Sequence, residues 1–195
     1  MTGEHPVPEF AQSLPKTRAA VLYAERMHDG QRRQVDGAPF ILHPLEVASL
    51  LNEIGEPDYV IAAGVLHDTL EKTDATAAEL SQRFGSRVTT LIQAVTEDGR
   101  ISGYAHRKAA LRDQVNHSGR QALIVFAADK LSKARELRLA DTAVTPLRRR
   151  LKHDRACLQL LHAHLPGFPL VQSLQNELAA IPDPAPRRRR LTNTG

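Results

Sequence analysis

The sequence predicts an all-α protein. Proline is absent from Asp58 to Thr145, and across that interval valine, leucine and alanine return at three- and four-residue spacing, the spacing that turns one apolar face of a helix toward a core. Alternating strand patterns are missing, and the two Asp-Gly pairs, Asp29-Gly30 and Asp36-Gly37, enclose a polar, arginine-rich loop where a hairpin would need apolar flanks. Apolar residues make up 42% of the 195 residues and charged residues 25%, a balance that suits one folded core and argues against a mostly disordered chain.

Each helix has a local cause. Lys16 to His28 forms the first, with Ala20, Leu22, Ala24 and Met27 available for burial. Pro44 loses no useful N–H at a first helical position, so a helix is expected over Leu45 to Ile54 with His43 at its mouth. Tyr59 to Leu70 is nearly all apolar through Val60-Ile61-Ala62-Ala63-Gly64-Val65-Leu66, a composition for a helix enclosed by others, and it closes on His67-Asp68. Thr76 and Glu79 have capping-box spacing for a helix that stops at Phe84-Gly85, and Ser86 opens a segment through Val95. Gln121 to Arg138 is apolar from Ala122 to Ala128 and then interrupted by Asp129-Lys130. After Pro146, Leu147 to Leu165 and Leu170 to Ile181 read as two closing amphipathic helices, separated by Pro166-Gly167-Phe168-Pro169.

This places an N-terminal extension at 1–15, the main domain at 16–165, a C-terminal helical extension at 166–181 and a disordered arginine-rich tail at 182–195. Cys157 is the only cysteine, which excludes an intramolecular disulfide and a cysteine-rich zinc site and fits a reducing, cytoplasmic compartment. No apolar run approaches the roughly 20 residues needed to cross a bilayer, and the N-terminal stretch carries acids and prolines instead of a signal-peptide core. The net charge of +4 is modest, and the run Arg187 to Arg190 reads as a solvated end, so no nucleic-acid partner is assigned. The sequence leaves a homo-oligomer open.

The chemistry lies where polar groups interrupt apolar helices. His67 and Asp68 end a segment suited to burial, and burying both without partners would cost several kcal/mol. On this pair alone, a histidine capping its own helix beside a surface aspartate is the simpler reading. Asp129 repeats the anomaly on a second helix, and His43 offers another imidazole, so a divalent cation would reconcile all four groups; mixed imidazole and carboxylate donors suit Mn²⁺, Fe²⁺, Zn²⁺ or Co²⁺ better than Ca²⁺. Glu71 lies one helical turn after His67, within reach of a water beside such an ion, as a general base must be. Opposite these acids stand Arg32, Arg33, Lys130, Lys133 and Arg148 to Arg150, able to bind phosphate if they converge, although Lys133 could equally pair with Asp129 at i,i+4.

Taken together, Gly30-Gln31-Arg32-Arg33, Gly37-Ala38-Pro39-Phe40-Ile41-Leu42-His43-Pro44, Leu66-His67-Asp68-Thr69-Leu70-Glu71, Phe84-Gly85 and Ala128-Asp129-Lys130-Leu131 resemble the HD-domain hydrolases of the RelA/SpoT type, including small stand-alone alarmone hydrolases. The match runs over about residues 16 to 155. The resemblance implies a compact HD-domain helical bundle, a metal, usually Mn²⁺, on His43, His67, Asp68 and Asp129, and removal of pyrophosphate from the ribose 3′ position of ppGpp or pppGpp. It places Arg32 and Arg33 near the substrate and aligns Arg149 with a late phosphate-binding arginine. About thirty residues after 165 are too few for a nucleotide-synthetase domain, so alarmone synthesis is not expected.

Three positions depart from the family pattern. Glu71 is followed by Lys72 where the family has a second catalytic acid, Lys133 replaces a frequent asparagine, and His153 replaces a tyrosine that contacts nucleotide. A (p)ppGpp 3′-pyrophosphohydrolase is the leading expectation. The changes at substrate-choosing positions keep two others in view: a phosphatase for NADPH or another nucleotide, and a weakly catalytic nucleotide-binding regulator.

Overall fold

The computed structural model describes residues 7–138 and 144–182. The helices are α1 (Glu9–Gln12), α2 (Pro15–Met27), α3 (Leu42–Glu53), α4 (Asp58–Leu66), α5 (Thr69–Lys72), α6 (Ala77–Phe84), α7 (Ser86–Val95), α8 (Tyr104–Asn116), α9 (Arg120–Arg138), α10 (Val144–His164) and α11 (Pro169–Ala180). The all-α prediction holds: among the described residues the pairing of Arg32 with Pro39 is an isolated bridge within the loop between α2 and α3.

The apolar helix α4 is the hub, buried from Val60 through Leu66 and surrounded by α2, α3, α7 and α9. Gly64 makes the α3–α4 contact close, because a Cβ added there would overlap Leu51 Cδ1 and stand 3.3 Å from Val47 Cγ1. Asp58 ties α2 to α4 by accepting the backbone N–H groups of Lys16 and Thr17 and the hydroxyl of Thr17, satisfying donors that the first turn of α2 leaves free. On the far side α10 and α11 pack against α9, and Leu170, Val171, Leu174 and Leu178 of α11 join the same core. Thr76 accepts the Glu79 N–H at the start of α6, as the capping spacing predicts.

The structure corrects two helix assignments and adds a helix that the periodicity does not mark. The segment Tyr59 to Leu70 is not one helix: α4 stops at Leu66, and α5 begins at Thr69. His67 Nδ1 binds the Gly64 carbonyl and Thr69 Oγ1 donates to the Leu66 carbonyl, so side chains take acceptors that a continuing helix would use. Helix α3 starts at Leu42, three residues before Leu45, because a proline anywhere in the first turn removes no intrahelical bond. Helix α8 has no apolar periodicity to single it out and buries only Leu111 and Val115 among its residues. The Arg187–Arg190 run lies outside the described residues. No described helix is long and apolar enough to cross a membrane.

Candidate metal centre

Three helices bring four polar groups into the core. His43 stands in the first turn of α3, His67 and Asp68 at the break between α4 and α5, and Asp129 midway along α9, all buried. The Nε2 atoms of His43 and His67 face each other at 3.2 Å. Asp129 Oδ1 lies 3.2 Å from the first and 3.3 Å from the second, and Asp68 Oδ2 lies 3.8 and 3.5 Å from them.

The surrounding hydrogen bonds assign the ring protons. His67 Nδ1 is 2.7 Å from the Gly64 carbonyl, which can only accept, so Nδ1 carries the hydrogen and Nε2 a lone pair. His43 Nδ1 lies 2.9 Å from Ser132 Oγ and 3.1 Å from Glu136 Oε1. The Ser132 hydroxyl donates to Glu46 Oε2 at 2.8 Å, leaving its oxygen to accept from Nδ1. Both imidazoles therefore turn Nε2 lone pairs inward, as metal-binding histidines held by outer partners do.

Two lone pairs and a carboxylate oxygen meeting at these distances repel unless a positive charge lies among them. Asp129 Oδ1 and Asp68 Oδ2 meet no neighbour along a hydrogen-bond direction among the described residues, although Lys133 Nζ makes an ionic contact with the former at 2.6 Å. The contact is an ion pair, and it leaves donor capacity on the oxygen. Donor atoms of His43, His67 and Asp129 lie within 4.8 Å of one another, with Asp68 beside them, so the set fits a divalent metal ion.

Burial alone would raise both carboxyl groups. Lys133, His67 and Lys72 outweigh it at Asp68, and Lys130 and Lys133 at Asp129, holding both below the usual carboxylate range. Burial disfavours a proton on His43, yet Asp129 and Glu136 reverse the balance and raise its pKa. The pocket is thus built to attract positive charge.

The remaining sequence-singled residues fall in different places. Glu71 is exposed on α5, near enough to Lys133 to bear on its charge. Lys72 Nζ is 4.0 Å from Asp68 Oδ2 and 5.2 Å from the Phe40 ring centroid. Lys130 is buried with Nζ 2.8 Å from Asp129 Oδ2 and beside the Phe126 ring. Arg32 donates to the Gly37 carbonyl and fastens its own loop, whereas Arg33 pairs with Asp36 and reaches Glu136 of α9 at 3.4 Å, tying the loop to that helix. Arg149 stacks over the Tyr104 ring at 4.3 Å.

His153 belongs to a neighbouring buried cluster. Arg112 Nη1 donates to its Nδ1 at 2.8 Å, and Cys157 Sγ stands 3.5 Å away. Burial and the cations Lys130, Lys108 and Arg112 push the imidazole down to about 2, and burial pushes the Cys157 thiol up to about 12. Sequence reasoning missed Ser132, Glu136 and Glu46. Their signal was available only as polar residues three, seven and three positions from Asp129 or His43, a spacing common on any exposed helix face.

A buried, helix-borne cluster of two histidines and two aspartates is the kind of donor set that fits a divalent metal ion in an all-helical protein. The model of the HD domain family matches residues 20–153. The chain belongs to that family. It is 40% identical over 131 residues to the mouse guanosine-3′,5′-bis(diphosphate) 3′-pyrophosphohydrolase MESH1, covering 66% of this chain and 71% of the mouse protein. The human MESH1 is 41% identical over 118 residues, 59% of this chain and 65% of that protein. A pyrophosphohydrolase of the same description from Aquifex aeolicus is 42% identical over 92 residues, 47% of this chain but only 13% of the longer relative. Among solved structures, a metazoan SpoT ortholog described as hydrolysing ppGpp superposes with a TM-score of 0.75 at 26% identity, covering 84% of this chain and 94% of that one.

Proposed function

We infer that the protein is a metal-dependent phosphohydrolase that removes pyrophosphate from the 3′ position of ppGpp or pppGpp. The observation that carries this is the convergence of the His43 and His67 Nε2 lone pairs on Asp129 Oδ1, with each opposite ring nitrogen engaged. The substrate is assigned from the relatives: MESH1 proteins from human and mouse carry that activity in their names. His43, His67, Asp68 and Asp129 would hold the metal, for which Mn²⁺ is the proposed ion. When bound, such an ion supplies Lewis acidity toward water and a phosphate oxygen.

The chain's own groups supply the rest. Glu71, exposed beside the centre, accepts the proton of the attacking water. One P–O bond forms from that water as the ribose O3′–P bond breaks, and O3′ leaves with the electron pair and takes a proton. Lys72 and Lys133 offset phosphate charge at the mouth, with Lys130 fixed behind Asp129. Arg149, stacked on Tyr104, is assigned to the nucleotide's phosphates, with His153 packed behind that ring. Arg32 and Arg33 shape the loop between α2 and α3 and act on substrate through it. The hydrolase domain is taken as 16–165, and the lone buried Cys157 supports a cytoplasmic setting.

A second reading has a specific observation behind it. Two ammonium groups flank Asp68, where the family pattern has an acid and an amide, and this extra charge favours a different phosphate ester such as NADPH. Product analysis after Mn²⁺ loading separates the readings. Pyrophosphate from ppGpp is the expected result, and single phosphate from NADPH with ppGpp untouched would transfer the assignment. Turnover of either nucleotide at the parent rate by both His43→Ala and Asp129→Ala would remove the centre from the reaction.

A further inference from the structure

We propose that Lys133 and Lys72 are tethered counter-cations of the metal centre: they compete with a divalent ion for Asp129 and Asp68, and swing to the substrate's phosphate oxygens when the ion binds. This rests on the metal-hydrolase reading. Lys133 Nζ is 2.6 Å from Asp129 Oδ1, the oxygen on which both Nε2 atoms converge, and 3.8 Å from Asp68 Oδ1. Lys72 Nζ approaches the other oxygen of Asp68 at 4.0 Å. The two ammonium groups thus hold, from two sides, the carboxylates that would hold the ion.

The tethers are set by the helices. Each lysine stands four residues after its aspartate, one on α9 and one on α5, a spacing that stacks the two side chains. Both keep a path outward, with side chains 27% and 34% exposed, and their long aliphatic stems allow the charged end to move while the backbone stays fixed. Lys130 differs. Its side chain is 5% exposed, its ammonium is 2.8 Å from Asp129 Oδ2, and it lies beside Phe126, so it is a permanent partner.

Asp129 consequently has one fixed and one removable cation. A divalent ion arriving among the Nε2 atoms takes the same oxygen as Lys133 and repels both mobile ammonium groups at short range. Displaced toward the solvent side, they offer up to six N–H donors to phosphate oxygens. Two consequences follow from mass action. The ion is held more weakly than it would be with uncharged side chains at 72 and 133, and bound phosphate favours the ion by occupying the displaced lysines.

Titration calorimetry of the chelator-treated full chain with Mn²⁺ alone tests this. Lys133→Met should bind the ion about tenfold more tightly than the parent, an effect between those of exposed and buried ion pairs, while Lys133→Arg keeps the parent's affinity. In the absence of the ion Lys133→Met should melt below the parent. Lys72→Met, changed at an exposed position, should gain affinity in the same direction and serves if Lys133→Met does not fold. Unchanged or weaker Mn²⁺ binding by the methionine variants, with the parent still binding, overturns the proposal and leaves the hydrolase reading standing. No uptake by the parent or any variant overturns both.

Discussion

Glu136 is seven residues past Asp129 on α9 and touches no substrate, yet replacing it with glutamine should weaken metal binding. Its Oε1 lies 3.1 Å from His43 Nδ1 in a side chain only 10% exposed. Glutamine preserves the shape and an accepting oxygen while removing the charge that makes the imidazole a better donor to a cation. Loss of such an outer partner typically costs about 10–100-fold in metal affinity. Ser132 Oγ, 2.9 Å from the same nitrogen and itself backed by Glu46, remains as a second acceptor. That places the expected loss near tenfold, about 1.4 kcal/mol. Arg33 keeps its pairing with Asp36, so folding stability should change by no more than about 1 kcal/mol. Mn²⁺ calorimetry on parent and Glu136→Gln, paired with urea unfolding of the chelator-treated proteins, reads the two quantities separately. Unaltered affinity would refute the role of Glu136 in orienting His43, and so would an affinity loss that merely follows unfolding.

Gly64→Ala should destabilise the fold by about 1 kcal/mol: the helix-propensity gain of about 1 kcal/mol is outweighed by overpacking of about 1–3 kcal/mol against Leu51 and Val47. A urea midpoint above the parent's would contradict the close α3–α4 approach. His153 gives a pH signature. Its folded pKa, about 2, lies below the ordinary value of 6.5, so in acid the unfolded chain takes up a proton that the folded chain refuses. The stability from the neutral ring is complete above pH 6.5 and is lost as pH falls toward 2, at up to about 1.4 kcal/mol per pH unit. Unfolding free energies at pH 7 and 5.5 should therefore differ less in His153→Gln than in the parent, and equal differences would count against the buried neutral imidazole.

How far the sequence could be read depended on whether a residue interrupts a pattern or blends into one. His67, Asp68 and Asp129 stand out because each breaks an apolar run, and the structure brings them to one point. The helical class followed from the same periodicity. Boundaries were harder: the break after Leu66 arises from His67 and Thr69 taking backbone carbonyls, a local competition that composition does not announce. Glu136 and Ser132 look in sequence like ordinary polar positions on an amphipathic helix, and only the packing of α3 against α9 turns them toward His43. Arg33 is the converse case. Its charge and place suggest phosphate, but Asp36 and Glu136, the latter 103 residues away, engage the guanidinium.

That last contact makes the loop between α2 and α3 part of the centre's mechanics. Arg33 grips the carboxylate that orients His43, while Gln31 holds the Lys72 carbonyl at 2.9 Å and Phe40 lies between His28 and His43. A pull on the loop is thus delivered at once to a proposed metal donor and to the turn bearing Lys72. Anything that grasps this segment from outside, whether a ligand edge or another protein, has a short lever on the reactive core without entering it.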